Sequence, residues 1–213
     1  MSVHFSKINK LITAIIAITA WVAVITQLNL DLQLHKGVLS ATETVIRFFS
    51  YFTILTNLLV AICCTLIVLN IHSFFTRNNV LSAVAVYIII VGLIYNAILR
   101  KLWTPTGLQL IVDNLLHLVV PILFLLYWIL VVNKTTLKWK NIFPWLLYPL
   151  VYLIFILLRG AAADYYPYPF IDVVKLGYAK ALQNSGFVTI AFITISLLII
   201  GYGKLVGKNP IQS

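Results

Sequence analysis

Six apolar runs decide what this chain can fold into. They lie near residues 8–30, 45–71, 80–99, 108–132, 142–158 and 186–202. Each is about as long as the ~20 residues a helix needs to cross a hydrocarbon layer of about 30 Å. Backbone N–H and C=O groups inside a bilayer must be satisfied within the segment that carries them, which favours helices. The expectation is an all-α fold: a polytopic membrane bundle of six transmembrane helices, one domain over residues 1–213. The connectors are short and leave no length for a separate soluble domain.

Composition excludes the alternatives. The chain is 62% hydrophobic and only 9% charged, with mean hydropathy +1.04. A water-soluble domain with that balance would have an apolar surface. The net charge of +10 invites a nucleic-acid reading. Its Lys and Arg residues are scattered over short connectors, however, as membrane insertion and lipid headgroups favour. No nucleic-acid partner is expected; the expected partners are membrane lipids and a lipid-like substrate. Cys63 and Cys64 are adjacent and mid-span, where they read as small packing residues. Lys7 and Lys10 precede an apolar stretch without a small-residue cleavage pattern, so this stretch is expected to be a retained first span.

An even number of spans puts both termini on one side. The N-terminal segment, Arg77, the Lys134/Lys138/Lys140 connector and the Lys204/Lys208 tail are basic and free of acids. The other connectors carry Asp31, Glu43, Asp164 and Asp172 beside their own basic residues. The expectation is an integral protein of a prokaryotic inner membrane with both termini cytoplasmic. The connector 159–185 is the longest. It contains Pro167 and Pro169 among Tyr165, Tyr166, Tyr168 and Phe170. The prolines exclude regular helix. The aromatics suit either an interfacial anchor or a lid over the mouth of the bundle. No internal repeat of the kind seen in many transporters is evident.

Polar residues inside the runs are costly and mark either a site or a bond between helices. Two clusters stand out: 50–57, with Ser50, Thr53 and Asn57, and 113–117, with Asp113, Asn114 and His117. Counted from the same side of the membrane, Thr53 and His117 lie about 12 and 14 Å deep at 1.5 Å per residue. Tyr95, Asn96, Arg100 and Arg159 fall near span ends on that side. This one-sided concentration predicts a polar cavity in the non-cytoplasmic half. Asp113 and Asn114 are four and three residues before His117, so either can touch the imidazole and fix its tautomer. Pro121 removes the donor for the His117 carbonyl. Each residue also has a plain structural reading. A Thr in a membrane helix bonds its own backbone, Asn57 and Asn96 can join helices, and the arginines can snorkel.

No zinc motif, phosphate-binding glycine loop or G-x-S-x-G elbow occurs. A single deep His does not suit a haem protein, and no Lys lies inside a span for a retinal Schiff base. Neither metal nor organic cofactor is expected. Nucleophilic and acid–base work by Thr, Ser and His remains, because a Thr hydroxyl needs a base within reach.

The stretch Phe49-Ser-Tyr-Phe-Thr-Ile-Leu-Thr-Asn-Leu-Leu, the run from His117 to Pro121, the segment Tyr148-Pro149-Leu-Val-Tyr152 and the Arg159-Gly160…Tyr166-Pro-Tyr-Pro-Phe170 loop resemble the prokaryotic branch of the androgen-induced-gene/FAR-17a-like family of six-helix integral membrane proteins. The likeness covers residues 8 to 205. Animal members hydrolyse fatty acid esters of hydroxy fatty acids with an intramembrane Thr and His. The resemblance implies those roles for Thr53 and His117. The expected function is therefore a lipid-ester hydrolase with Thr53 as nucleophile and His117 as base. Asn57, Ser50, Asp113, Asn114, Tyr95, Asn96, Arg100 and Arg159 would bind or orient the substrate. The alternative is a non-enzymatic lipid- or small-molecule-binding carrier or assembly partner using the same cavity.

Overall fold

A computed structural model of the chain describes residues 7–207; Lys208, counted above in the basic tail, lies outside them. The described residues form eight α-helices and no strand: α1 (Lys7–Leu34), α2 (Ala41–Phe48), α3 (Phe52–Val68), α4 (Asn78–Ala97), α5 (Gly107–Asn114), α6 (Val120–Leu130), α7 (Ile142–Ala163) and α8 (Val173–Gly207). Five helical stretches are long and apolar enough to cross a membrane, and six if the bent pair α2 and α3 counts as one crossing. The chain is an integral membrane protein on that evidence. Its packing divides it into two compact units, Met1–Thr136 and Leu137–Ser213.

In the first unit, α1 buries Thr13, Ile16, Ala17, Ala20, Ala23 and Val24. Those positions recur every three or four residues along one face. The three alanines let α3 approach closely, as small residues do between membrane helices. Trp21 Nε1 donates to Thr65 Oγ1 across the α1–α3 contact at 3.1 Å. Helix α4 has a continuous buried run from Leu81 to Ile88. Trp128 Nε1 of α6 donates to Ser82 Oγ of α4 at 2.9 Å. After α6, buried Lys134 folds back so that Nζ donates to the Ile129 and Val132 carbonyls at 2.8 and 2.7 Å. Its ammonium lies 4.9 Å from the Trp128 ring centre. Burial lowers its pKa from the ordinary lysine value.

The expected second span, 45–71, is not one helix. Helices α2 and α3 meet at 75°. Ser40 Oγ accepts the Glu43 N–H at 3.1 Å, starting α2 with an N-cap. A Glu43–Arg47 pair at 2.7 Å braces it. Neither Gly nor Pro makes the break. Instead the last turn tightens: Ser50 N–H reaches the Arg47 carbonyl at 3.0 Å and Tyr51 N–H reaches Phe48 at 3.3 Å. Ser50 Oγ donates to the Ile46 carbonyl at 2.7 Å, a local side-chain bond that competes with helix continuation. Tyr51 is then extended (φ −83°, ψ 124°) and α3 begins at Phe52.

In the second unit, α7 runs through Pro149 to Ala163 and so includes Arg159 and Gly160. The connector expected over 159–185 shrinks to 164–172. Asp164, in the left-handed conformation (φ 49°, ψ 33°), ends α7. The Tyr166 ring lies against Gly160 so closely that a Cβ there would sit 2.0 Å from Cε1. The Arg159 guanidinium lies 4.9 Å from the Tyr165 ring centre. Asn184 Nδ2 of α8 donates to the Phe170 carbonyl at 2.9 Å. Pro167 falls in the irregular stretch, and Pro169 opens a short 3-10 turn, Pro169–Ile171, so neither lies in an α-helix. Gly177 (φ 74°, ψ 159°) interrupts α8 near its start.

Candidate functional site

The site is built around a defect in one helix. Pro121 has no N–H, so the His117 carbonyl loses its usual partner four residues on. Ahead of it, Leu115–Val119 widens into a π-helical turn. The Val120 N–H bonds the Leu115 carbonyl instead of Leu116. Two successive carbonyls are thereby freed, and each is met by an asparagine from a neighbouring helix. Asn57 Nδ2 of α3 donates to the Leu116 carbonyl at 3.2 Å and to Thr53 at 2.9 Å. Asn96 Nδ2 of α4 donates to the His117 carbonyl at 3.2 Å and to Gly92 at 2.8 Å. Gly92 favours that approach: a Cβ there would lie 3.3 Å from the His117 carbonyl oxygen and 3.4 Å from Pro121 Cβ, so the neighbours would have to give by a few tenths of an ångström.

The widened turn carries His117. Its Nδ1 lies 2.9 Å from the Asp113 carbonyl and 3.2 Å from Asp113 Oδ1. With two oxygens at Nδ1, the proton of the neutral ring belongs there, which leaves Nε2 as the acceptor. Nε2 has no partner among the described residues. The ring is stacked on Tyr95, with centroids 3.6 Å apart and planes 13° apart. The Tyr95 hydroxyl donates to Asp113 Oδ2 through a short hydrogen bond and accepts from Trp103 Nε1 at 3.0 Å. The donors converge on Asp113: Trp103 gives to Tyr95, and Tyr95 and His117 both give to the carboxylate. Asp113 is 3% exposed, so its carboxylate depends on these donors rather than on water.

The remaining residues sort differently. Thr53 is buried in the first turn of α3, four residues before Asn57. The depth of about 12 Å counted for it along one continuous span does not hold, because α2 turns away. The Asn57 bond ties α3 to the His117 turn. Ser50 sits in the α2–α3 break and not on a shared helical face with Thr53 and Asn57. Arg100 donates to Asn96 Oδ1 at 2.9 Å and reaches Asn114 Oδ1 at 3.4 Å, so it positions both amides. Asn114 Nδ2 bonds the Leu110 carbonyl at 2.9 Å. Arg159 belongs to the second unit.

Trp103 was not singled out by sequence, nor were Gln27 and Gln109, which pair α1 with α5 at 2.8 Å while Gln27 also donates to Asp31 at 2.9 Å. Pro121 four residues after His117 was the one local sign of the widened turn. Among the described residues no group of three His, Cys, Asp or Glu side chains is placed to hold a metal. Comparison with protein-family models, with curated proteins and with solved structures found no match.

Proposed function

We propose that the chain is an intramembrane lipid-ester hydrolase in which Thr53 is the nucleophile and His117 the general base. One observation carries the reading: Asp113 holds the protonated Nδ1 of His117 and leaves Nε2 without a partner. That is the orienter–base relation a hydroxyl nucleophile needs. Thr53 Oγ1 gives its proton to Nε2 and attacks the ester carbonyl carbon. The tetrahedral intermediate collapses as Nε2 returns the proton to the leaving alcohol oxygen. Water gives a proton to the same nitrogen and attacks the Thr53 acyl ester; Nε2 then returns that proton to Thr53 Oγ1 as the C–O bond breaks and the fatty acid leaves.

Asn57 and Asn96 take no part as oxyanion donors, since both amide hydrogens of each go to main-chain carbonyls. Asn114 donates one bond and has a second amide hydrogen to offer the oxyanion, with Arg100 fixing its oxygen side. The polar cavity would lie in the non-cytoplasmic half of a prokaryotic inner membrane, both termini cytoplasmic.

The test is fatty acid release from a panel of lipid esters by the purified protein in micelles. Thr53→Ala is expected to abolish turnover while still binding substrate. His117→Ala should lower it by about 10²–10⁴-fold, and Asp113→Asn by up to about 10⁴-fold. Turnover unchanged in Thr53→Ala removes the nucleophile assignment. No turnover in the wild type across the panel assigns the cluster to lipid carriage without chemistry.

A further inference from the structure

An open cavity of about 770 Å³ lies at the other end of the first unit, where α1 and α4 start and α3 and α6 finish. Lys10, His72 and Arg77 line it, together with Asn70, Asn78 and Asn133. None of the chain's five acidic residues is among its lining. Two permanent cations and an imidazole thus face a concave space with no carboxylate in its wall to neutralise them. Surface lysines and arginines that merely snorkel do not need a cavity.

Two further features raise the positive potential there. The N-terminus of the 20-residue helix α4 begins at Asn78, and its N-cap, Arg77, supplies no side-chain acceptor. Asn78 lines the cavity, so the positive end of the α4 dipole lies at the same space. The opposing negative end of α6 is covered, because Lys134 Nζ holds the Ile129 and Val132 carbonyls.

We propose that this cavity binds a phosphate group, supplied either by the headgroup of an anionic phospholipid or by a free phosphate anion. An Arg fork, a Lys point charge and an uncapped helix N-terminus together match a tetrahedral oxyanion better than a lone carboxylate. The cavity volume accommodates a headgroup and its glycerol stem. The site is separate from the His117 cluster and does not depend on the hydrolase reading.

The full-length protein is reconstituted in nanodiscs of phosphatidylcholine alone or with phosphatidic acid. Retained lipid is counted by native mass spectrometry, and thermal unfolding is followed as inorganic phosphate or acetate is added to the phosphatidylcholine sample. Enrichment of phosphatidic acid over phosphatidylcholine by about tenfold or more identifies the headgroup as the source. A stabilising shift with inorganic phosphate, without that enrichment, identifies the free anion. In both cases Lys10→Gln/Arg77→Gln loses the effect and Lys101→Gln, which changes a cation at the other end of the unit, keeps it. His72→Gln provides a milder variant that weakens the effect if the double variant misfolds. The proposal is overturned if neither probe acts, if acetate acts as well as phosphate, or if Lys101→Gln loses as much as the double variant.

Discussion

At the scale of single residues, the partner of a polar side chain in the His117 region decides its role. Asn57 and Asn96 are joints: each ties its own helix to a carbonyl freed by the widened turn. Replacing Asn57 with Leu removes both bonds and strands the Leu116 carbonyl. Interhelical hydrogen bonds in membranes are worth about 0.6 kcal/mol on average and up to about 1.7. The expected loss is therefore about 1–2 kcal/mol, read as a lower unfolding midpoint in detergent; no change would show that the bond is dispensable. Asp113 and His117 were legible from spacing alone, because residues four apart on a helix must meet. Tyr95 and Trp103 were not legible as their partners. Nothing in a linear sequence says that residues 95 and 113 share one hydrogen bond until α4 is known to pack beside α5 and the π turn.

At the scale of elements, irregularities make the site. Pro121 is expected to maintain the widened turn. Pro121→Ala restores a donor four residues beyond His117, so the helix can close into regular α geometry and compete with Asn96 for that carbonyl. Hydrogen exchange should show amides 119–121 more protected in the variant and turnover reduced together with it. Equal exchange in the two proteins would mean that the Asn57 and Asn96 bonds hold the π turn without help from proline. The break between α2 and α3 was illegible for the opposite reason. Sequence reading finds breaks through Gly and Pro, and this one rests on Ser50 and a tightened last turn. The connector expected over 159–185 is shorter in the structure because α7 continues past Arg159 and α8 begins at Val173, both beyond the apolar runs that set its bounds.

At the scale of the whole molecule, the membrane character and helical class were legible because they follow from apolar run lengths, which need no tertiary information. The number of crossings depends on whether the bent pair α2 and α3 traverses the bilayer. If it does, connectors 35–40 and 69–77 lie on opposite sides. Single cysteines at Lys36 and Phe75, placed in a Cys63→Ala/Cys64→Ala background, are then expected to react with an impermeant thiol reagent from opposite faces. Labelling from one face would reduce the crossings to five. The π turn has a consequence at this scale too. It holds one residue more than a regular helix of equal rise, so α5 and α6 keep their mutual rotation only while that surplus is present. Deleting one residue between Leu115 and Val119 would leave hydropathy, span length and net charge essentially as they are. It would swing the Asp113 side of the helix by about 100° and part it from Tyr95. The cluster is thus encoded in residue count as well as in residue identity, and a chain one residue shorter would still insert but with its histidine turned away.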